Sequence, residues 1–196
     1  RDRSYCRGVI DPQQAAREHL RPDEHLYWAG TSDPAKLFSG RDGFLIPFSL
    51  LWCGFVGFGT VSVLRDGQIG PELVIFPLFL VLGLHLLFGR FLVKLHRKRT
   101  TVYAVTDRRA LVITARGTRD VPVGRSDRTT RWSADRRHCT VEWQEQFGPF
   151  AGVTRGLQTQ IYANTGLDGF FGPQLVAFWD VRDGEELVRA LELATR

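Results

Sequence analysis

Residues 44–64 read FLIPFSLLWCGFVGFGTVSVL, and residues 73–89 read LVIFPLFLVLGLHLLFG. The first run is twenty-one residues without a charge and the second seventeen, and apolar character resumes past Arg90 with Phe91, Leu92 and Val93. At a helical rise of about 1.5 Å per residue the first run spans roughly 30 Å, the thickness of a bilayer's hydrocarbon core. The connector, residues 65–72 (RDGQIGPE), holds the turn formers Gly67, Gly70 and Pro71. Neither run shows a polar face at the helical period, which soluble helices of this length usually have. Pro47, Pro77 and the glycines are ordinary inside membrane helices. The pattern predicts a transmembrane helical hairpin with spans at 44–64 and 73–93. The competing reading, two buried helices of a soluble domain, has the missing polar faces against it.

In 196 residues the hairpin leaves room for one further domain of about 100 residues. The mean hydropathy is slightly negative because it averages two very apolar runs with a polar, Arg-rich remainder. The net charge of +5 is uneven: Lys94, Arg97, Lys98 and Arg99, with His96 among them, cluster just after the second run. Such a cluster can bind nucleic acid, but one that abuts a membrane span reads more simply as a positive-inside anchor meeting anionic lipid headgroups. Nucleic acid is therefore not an expected partner. Lys36 and Arg41 flank the first run, whereas the connector has only Arg65, so both termini are expected on the cytoplasmic side. Arg90, about one turn before Lys94, is expected to snorkel to the same interface, and His85 to be a hydrogen-bonded packing residue. Cys6, Cys53 and Cys139 are too few and too scattered for a disulfide framework or a zinc site.

Residues 1–10 carry no pattern. Asp11-Pro12 followed by QQAAREHL predicts a short helix, with Asp11 as N-cap and Pro12 at the first helical position. Residues 20–30 (LRPDEHLYWAG) admit two readings: an interfacial segment, because Tyr27 and Trp28 favour the headgroup layer, or a strand or loop packed on the soluble domain. Residues 1–43 together form a lead-in. Past Arg99 the period becomes alternating. Strands are expected at 100–106, 109–114, 118–123, 129–133, 138–143, 157–162 and 175–179, the first two joined by a tight turn at Asp107-Arg108. The chain closes on an amphipathic helix at about 182–195. Asp183 and Glu186 have capping-box spacing there, and Leu187, Val188, Leu191 and Ala194 form one apolar face. The expected class is α+β: the hairpin, about seven short antiparallel strands, then one helix. The strands and final helix occupy residues 94–196.

Tyr103, Thr106 and Arg109 form a Y-x-x-T-x-x-R run just after the hairpin. Upstream lies LRPDEHLYWAGTSDP, with a Glu and a Trp; downstream, Phe178-Trp179-Asp180-Val181 precede the closing helix. In these features residues 20–196 resemble the bacterial pleckstrin-homology-like (PH-like) domain membrane proteins. The resemblance implies a seven-stranded, partly open antiparallel β-barrel capped by a C-terminal helix. Residues 144–173 are longer and more Gly-rich than that pattern needs. The resemblance does not carry phosphoinositide binding with it, since fold alone does not assign function.

For chemistry, Thr106, Asp107, Arg108 and Arg109 have two readings: a hold on a phosphate or acidic peptide, or a structural turn in which Thr106 and Asp107 bond local amides. Arg125, Arg128, Arg131, Arg136 and Arg137 form a second basic group, interrupted by Asp127 and Asp135. His138 and Cys139 are neighbours in a strand pattern and point to opposite faces, so they make no dyad. The Gly-rich residues 166–172 lack the Lys and Ser/Thr of a phosphate loop, and no metal spacing occurs. No catalytic, cofactor or metal constellation stands out. The expectation is a non-catalytic, membrane-anchored binding or scaffolding module at the cytoplasmic face of a bacterial inner membrane, with Lys94, Arg97, Lys98 and Arg99 meeting anionic headgroups. The alternative is a subunit of a membrane complex that packs on a protein partner through its hairpin, where Gly54, Gly57 and Gly59 allow close helix approach.

Overall fold

The computed structural model describes residues 11–40, 42–67, 70–125, 127–143, 163–167 and 176–196. The chain divides into two compact units. One comprises residues 1–35, 97–146 and 175–196; the other comprises 36–96 and 147–174. The hairpin is therefore an insertion in the chain of the first unit rather than a segment that precedes it.

The first unit opens with α1 (Pro12–Arg17). Asp11 caps it as its sequence predicts, with Oδ1 accepting from the Gln13 N–H at 3.0 Å. β1 (Leu26–Thr31) follows, so the choice left open for residues 20–30 between strand and loop is resolved as a strand over 26–31. After the hairpin come β2 (Val102–Thr106), β3 (Arg109–Thr114), β4 (Gly117–Pro122), β5 (Arg128–Trp132), β6 (Cys139–Trp143) and β7 (Ala177–Val181). The strands form two antiparallel sheets, ordered β1-β2-β3-β4 and β5-β6-β7, and a single bridge between Ser32 and Val181 joins them. β1 pairs directly with β2, Thr31 opposite Val102 and Gly30 opposite Tyr103. Seven strands are present among the described residues, but one of them is β1; the predicted strand at 157–162 lies outside the described residues.

Every residue of β2 is buried, because the first sheet is covered on both faces. Tyr103 and Val105 turn to a core shared with Cys139, Val141, Trp143, Phe178 and Val181. Val102 and Ala104, with Leu111 and Ile113, pack with Ala16 of α1 on the other side. Phe178 centres the aromatic part of the core: its ring stacks on Tyr103 (4.8 Å between centroids) and meets Trp143 edge-on (5.1 Å). The closing helix runs Gly184–Ala194 and is α5 here, since α2, α3 and α4 belong to the insertion. It places Leu187 and Leu191 in the same core, as its apolar stripe predicts. Asp183 occupies the N-cap position, but its side chain makes no capping bond, so the predicted capping box is not formed.

The second unit holds α2 (Asp42–Asp66), α3 (Glu72–Leu84), a π-helical turn (His85–Gly89) and α4 (Arg90–Thr100), whose last four residues belong to the first unit. Among the described residues two helices are long and apolar enough to cross a membrane: Asp42–Arg65, and the continuous Glu72–Thr100. Only 17 % and 6 % of their most apolar stretches are buried within the chain, far less than in the core helices of a soluble protein. They pack on each other through small residues. A Cβ on Gly83 would lie 2.7 Å from the Cys53 sulfur, and one on Gly59 would lie 2.7 Å from the Phe76 ring. His85, half-buried in the π turn, lies over Gly89.

Candidate functional site

The Y-x-x-T-x-x-R residues each reach back to the chain that precedes the hairpin. The Tyr103 hydroxyl, fully buried, lies 3.0 Å from Ser32 Oγ, which donates to the Trp179 carbonyl at 2.7 Å. Burial pushes the Tyr103 phenol pKa up. The Thr106 hydroxyl lies 2.8 Å from Glu24 Oε1 and accepts from the Arg109 N–H at 3.0 Å. Arg109 grips the same carboxylate with two nitrogens, Nε to Oε1 at 2.8 Å and Nη2 to Oε2 at 2.9 Å. That grip, aided by the Arg21 N–H, holds the Glu24 carboxyl at about 2 despite its burial. Asp107 exchanges bonds with His25: its Oδ1 accepts from the His25 N–H, and its own N–H donates to the His25 carbonyl, both at 3.1 Å. Thr106, Asp107 and Arg109 thus all bond to the chain's own residues. Arg108 alone among the four is exposed, in a 3.8 Å surface pair with Asp107.

The basic neck divides by helix face. Arg97 and Arg99 are exposed, whereas Lys98 is buried with its ammonium 2.7 Å from Asp180 Oδ2 and 3.3 Å from the Asp33 carbonyl. Lys94 is also buried and lies 3.9 Å from Asp42. Four residues apart, Lys94 and Lys98 share a face of α4, which explains why a contiguous basic run contributes only part of its charge to the surface. Both lysines lie beside carboxylates inside the chain, whereas Arg97 and Arg99 stand at its surface.

Lys98 belongs to a polar network that no local pattern announces. Asp33 Oδ2 accepts from Arg182 Nη2 (2.9 Å) and faces His138 Nε2 (2.8 Å), while Oδ1 accepts from the Ala35 N–H (2.9 Å). Burial would raise the Asp33 pKa, but the bonds from His138, Ala35 and Arg182 outweigh it and hold the carboxyl at about 2. Cys139, next to His138, is buried in the core, and burial pushes its thiol up to about 11. The separation of His138 and Cys139 expected from strand alternation holds.

In the second unit Arg90 does not snorkel: its side chain is wholly buried. One guanidinium nitrogen pairs with Asp42, and Nε donates to the Leu86 carbonyl at 2.7 Å. Asp42 opens α2 and also accepts from the Ser39 N–H and hydroxyl. A guanidinium within reach of a fixed carboxylate gains more from pairing than from stretching to water, and Asp42 is a partner the sequence shows only as a lone acid before an apolar run. Gly166 lies against this site at φ +90, where a Cβ would come within 2.1 Å of the Arg90 carbonyl.

Of the second basic group, Arg125 pairs with Asp127, and Arg131 lies 3.9 Å from Glu142. An apolar cleft on α2 is lined by Phe48, Leu51, Trp52 and Phe55, none of them titratable. No cluster of three metal-ligating side chains occurs among the described residues. Comparisons with protein-family models, with curated proteins and with solved structures find no match.

Proposed function

We propose that this chain is a membrane-anchored, non-catalytic binding or scaffolding module, with a PH-like β-domain held at the cytoplasmic face of a bacterial inner membrane. The observation that carries the reading is the insertion of two long, largely uncovered apolar helices between strands that pair directly. Helices apolar on all sides need an apolar solvent, and this chain buries only 17 % and 6 % of their most apolar stretches. The pairing of Thr31 with Val102 supports placing both ends of the insertion on one side of a bilayer, in agreement with the charge of its flanks. Two sheets of four and three strands with a closing helix are compatible with a PH-like domain whose first strand precedes the anchor. The headgroup contact belongs to Arg97 and Arg99, the exposed half of the neck.

The test is enrichment of a fluorescent anionic lipid over a neutral one around the full chain in mixed-lipid nanodiscs at two salt concentrations. Salt-sensitive enrichment that falls in the Arg97→Gln, Arg99→Gln double variant is the expected outcome. Equal enrichment in the variant would remove the headgroup role and favour a protein partner.

The second reading, a subunit packing on partner helices, draws on Gly54 and Gly57. Unlike Gly59 and Gly83, these have open space where a Cβ would stand, so nothing among the described residues uses their smallness. If a partner helix does, Gly57→Leu should dissolve a larger detergent-stable assembly into the lone chain. An unchanged size on gel filtration speaks for the lone anchor.

A further inference from the structure

The outer edge of β5 lies beside buried donors that have no acceptor among the described residues. Among the described residues no strand pairs with β5 on the side away from β6. Thr130, Arg131 and Trp132 are exposed along it. The register fixes what that edge presents. The Ser133 N–H donates to the His138 carbonyl at 2.9 Å, and β5 continues in register from Trp132 opposite Cys139 to Arg128 opposite Trp143. In an antiparallel ladder, alternate residues bond the same neighbour, so Thr129 and Arg131 turn their amides to β6. Arg128, Thr130 and Trp132 therefore turn theirs outward, three residues of unpaired backbone on an open margin. On the far side of β6, the Trp143 N–H donates to the Val176 carbonyl, which agrees with this phase.

Arg128 and Trp143 are directly opposed, so their side chains rise from the same face of the sheet. Trp143 is 1 % exposed, and its indole N–H has no hydrogen-bond partner among the described residues. Arg128 Nη1 is likewise shut off from solvent and has none. Buried donors are almost always satisfied, and two unsatisfied ones on one cross-strand pair call for an acceptor. One of these donors is a cation, and the acceptor that best fits a guanidinium is a carboxylate. Trp132, on the same face, lies against the start of α5: a Cβ on Gly184 would come within 2.7 Å of its ring. Among the described residues, the carboxylates near β5 are engaged elsewhere, Asp127 with Arg125, and Glu142 near Arg131 on the opposite face.

We infer that the β5 edge takes an extended peptide as an added strand, whose Asp or Glu side chain pairs with the half-buried Arg128 guanidinium. Main-chain bonds to Arg128, Thr130 and Trp132 supply the strand pairing, and the acidic side chain sets the register. This names a partner class for the module proposed above and rests on that reading.

The test uses the full chain in detergent micelles, probed with an array of randomised nine-residue peptides. Binders should be enriched in Asp or Glu. For the best acidic binder, Arg128→Gln should weaken the affinity at least about tenfold, the loss expected for one charge-assisted hydrogen bond. Arg131→Gln, on the other face of the same strand, should leave it unchanged, which separates a specific seat from general attraction to a basic surface. Absence of binders, binders without acidic enrichment, or equal weakening by the two variants would each overturn the inference. Retention of the same preparation in salt-washed vesicles reports on the anchor separately. A chain that stays in the membrane but captures no acidic peptide loses only the β5 assignment.

Discussion

Glu24 accepts from four donors: the Arg21 N–H, the Thr106 hydroxyl, and Nε and Nη2 of Arg109. Its carboxyl is held at about 2, from an ordinary 4.5, first by the Arg109 bonds. A depressed carboxylate stabilises the fold at any pH above its unfolded value, and that contribution fades as pH falls from about 4.5 towards 2. Glu24→Gln is therefore expected to cost about 2 kcal/mol at pH 7, because it leaves Arg109 without its charge partner. The variant should also lose less stability than the parent between pH 5 and pH 3. Denaturant unfolding of the full chain in detergent at both values checks this, and parallel losses in the two proteins would contradict it. Asp33, held at about 2 in the same pH window, keeps some acid sensitivity in the variant. Glu24 was visible in the sequence only as an acid of the lead-in, and its side-chain partners lie 82 and 85 residues away. The Y-x-x-T-x-x-R motif was legible, but not what it holds.

At the scale of elements, β1 changes what counts as the domain. A division at residue 94 leaves β2 without its neighbour and removes Ser32, Glu24 and the α1 cover over Val102 and Ala104. Residues 94–196 alone should therefore aggregate or remain unfolded, since β2 would present a bare edge and an uncovered apolar face. Residues 11–35 joined by a short flexible linker to 97–196 should give a soluble protein with a cooperative thermal transition. A well-folded 94–196 fragment would show that β1 is dispensable. The strand signal of LYWAGT was ambiguous because its alternation is short and its aromatics suit a membrane interface equally well. By contrast, the strands from 102 to 143 and the final helix were legible to within two residues, because turn formers bound each alternating run and the 3.6-residue stripe is continuous. The π turn at His85–Gly89 had no such signal, since its i to i+5 bond leaves no mark on composition.

For the whole molecule, composition and period determined a great deal without any tertiary information. Two charge-free runs of bilayer length dictate long apolar helices, alternation dictates an antiparallel β-unit, and the stripe of Leu187 and Leu191 dictates a closing helix. These are local properties, encoded in the spacing of side chains along one element. What only the tertiary structure decided is which distant residues meet. It drew Lys94 and Lys98 out of the basic neck to Asp42 and Asp180, paired Arg90 with Asp42, and assembled Asp33, His138 and Arg182 around one carboxylate. It also set Arg128 opposite Trp143. Charge and hydrogen-bonding capacity are written in the sequence, but whether a charged group faces water or a partner depends on strand register and helix face, which long-range packing alone fixes.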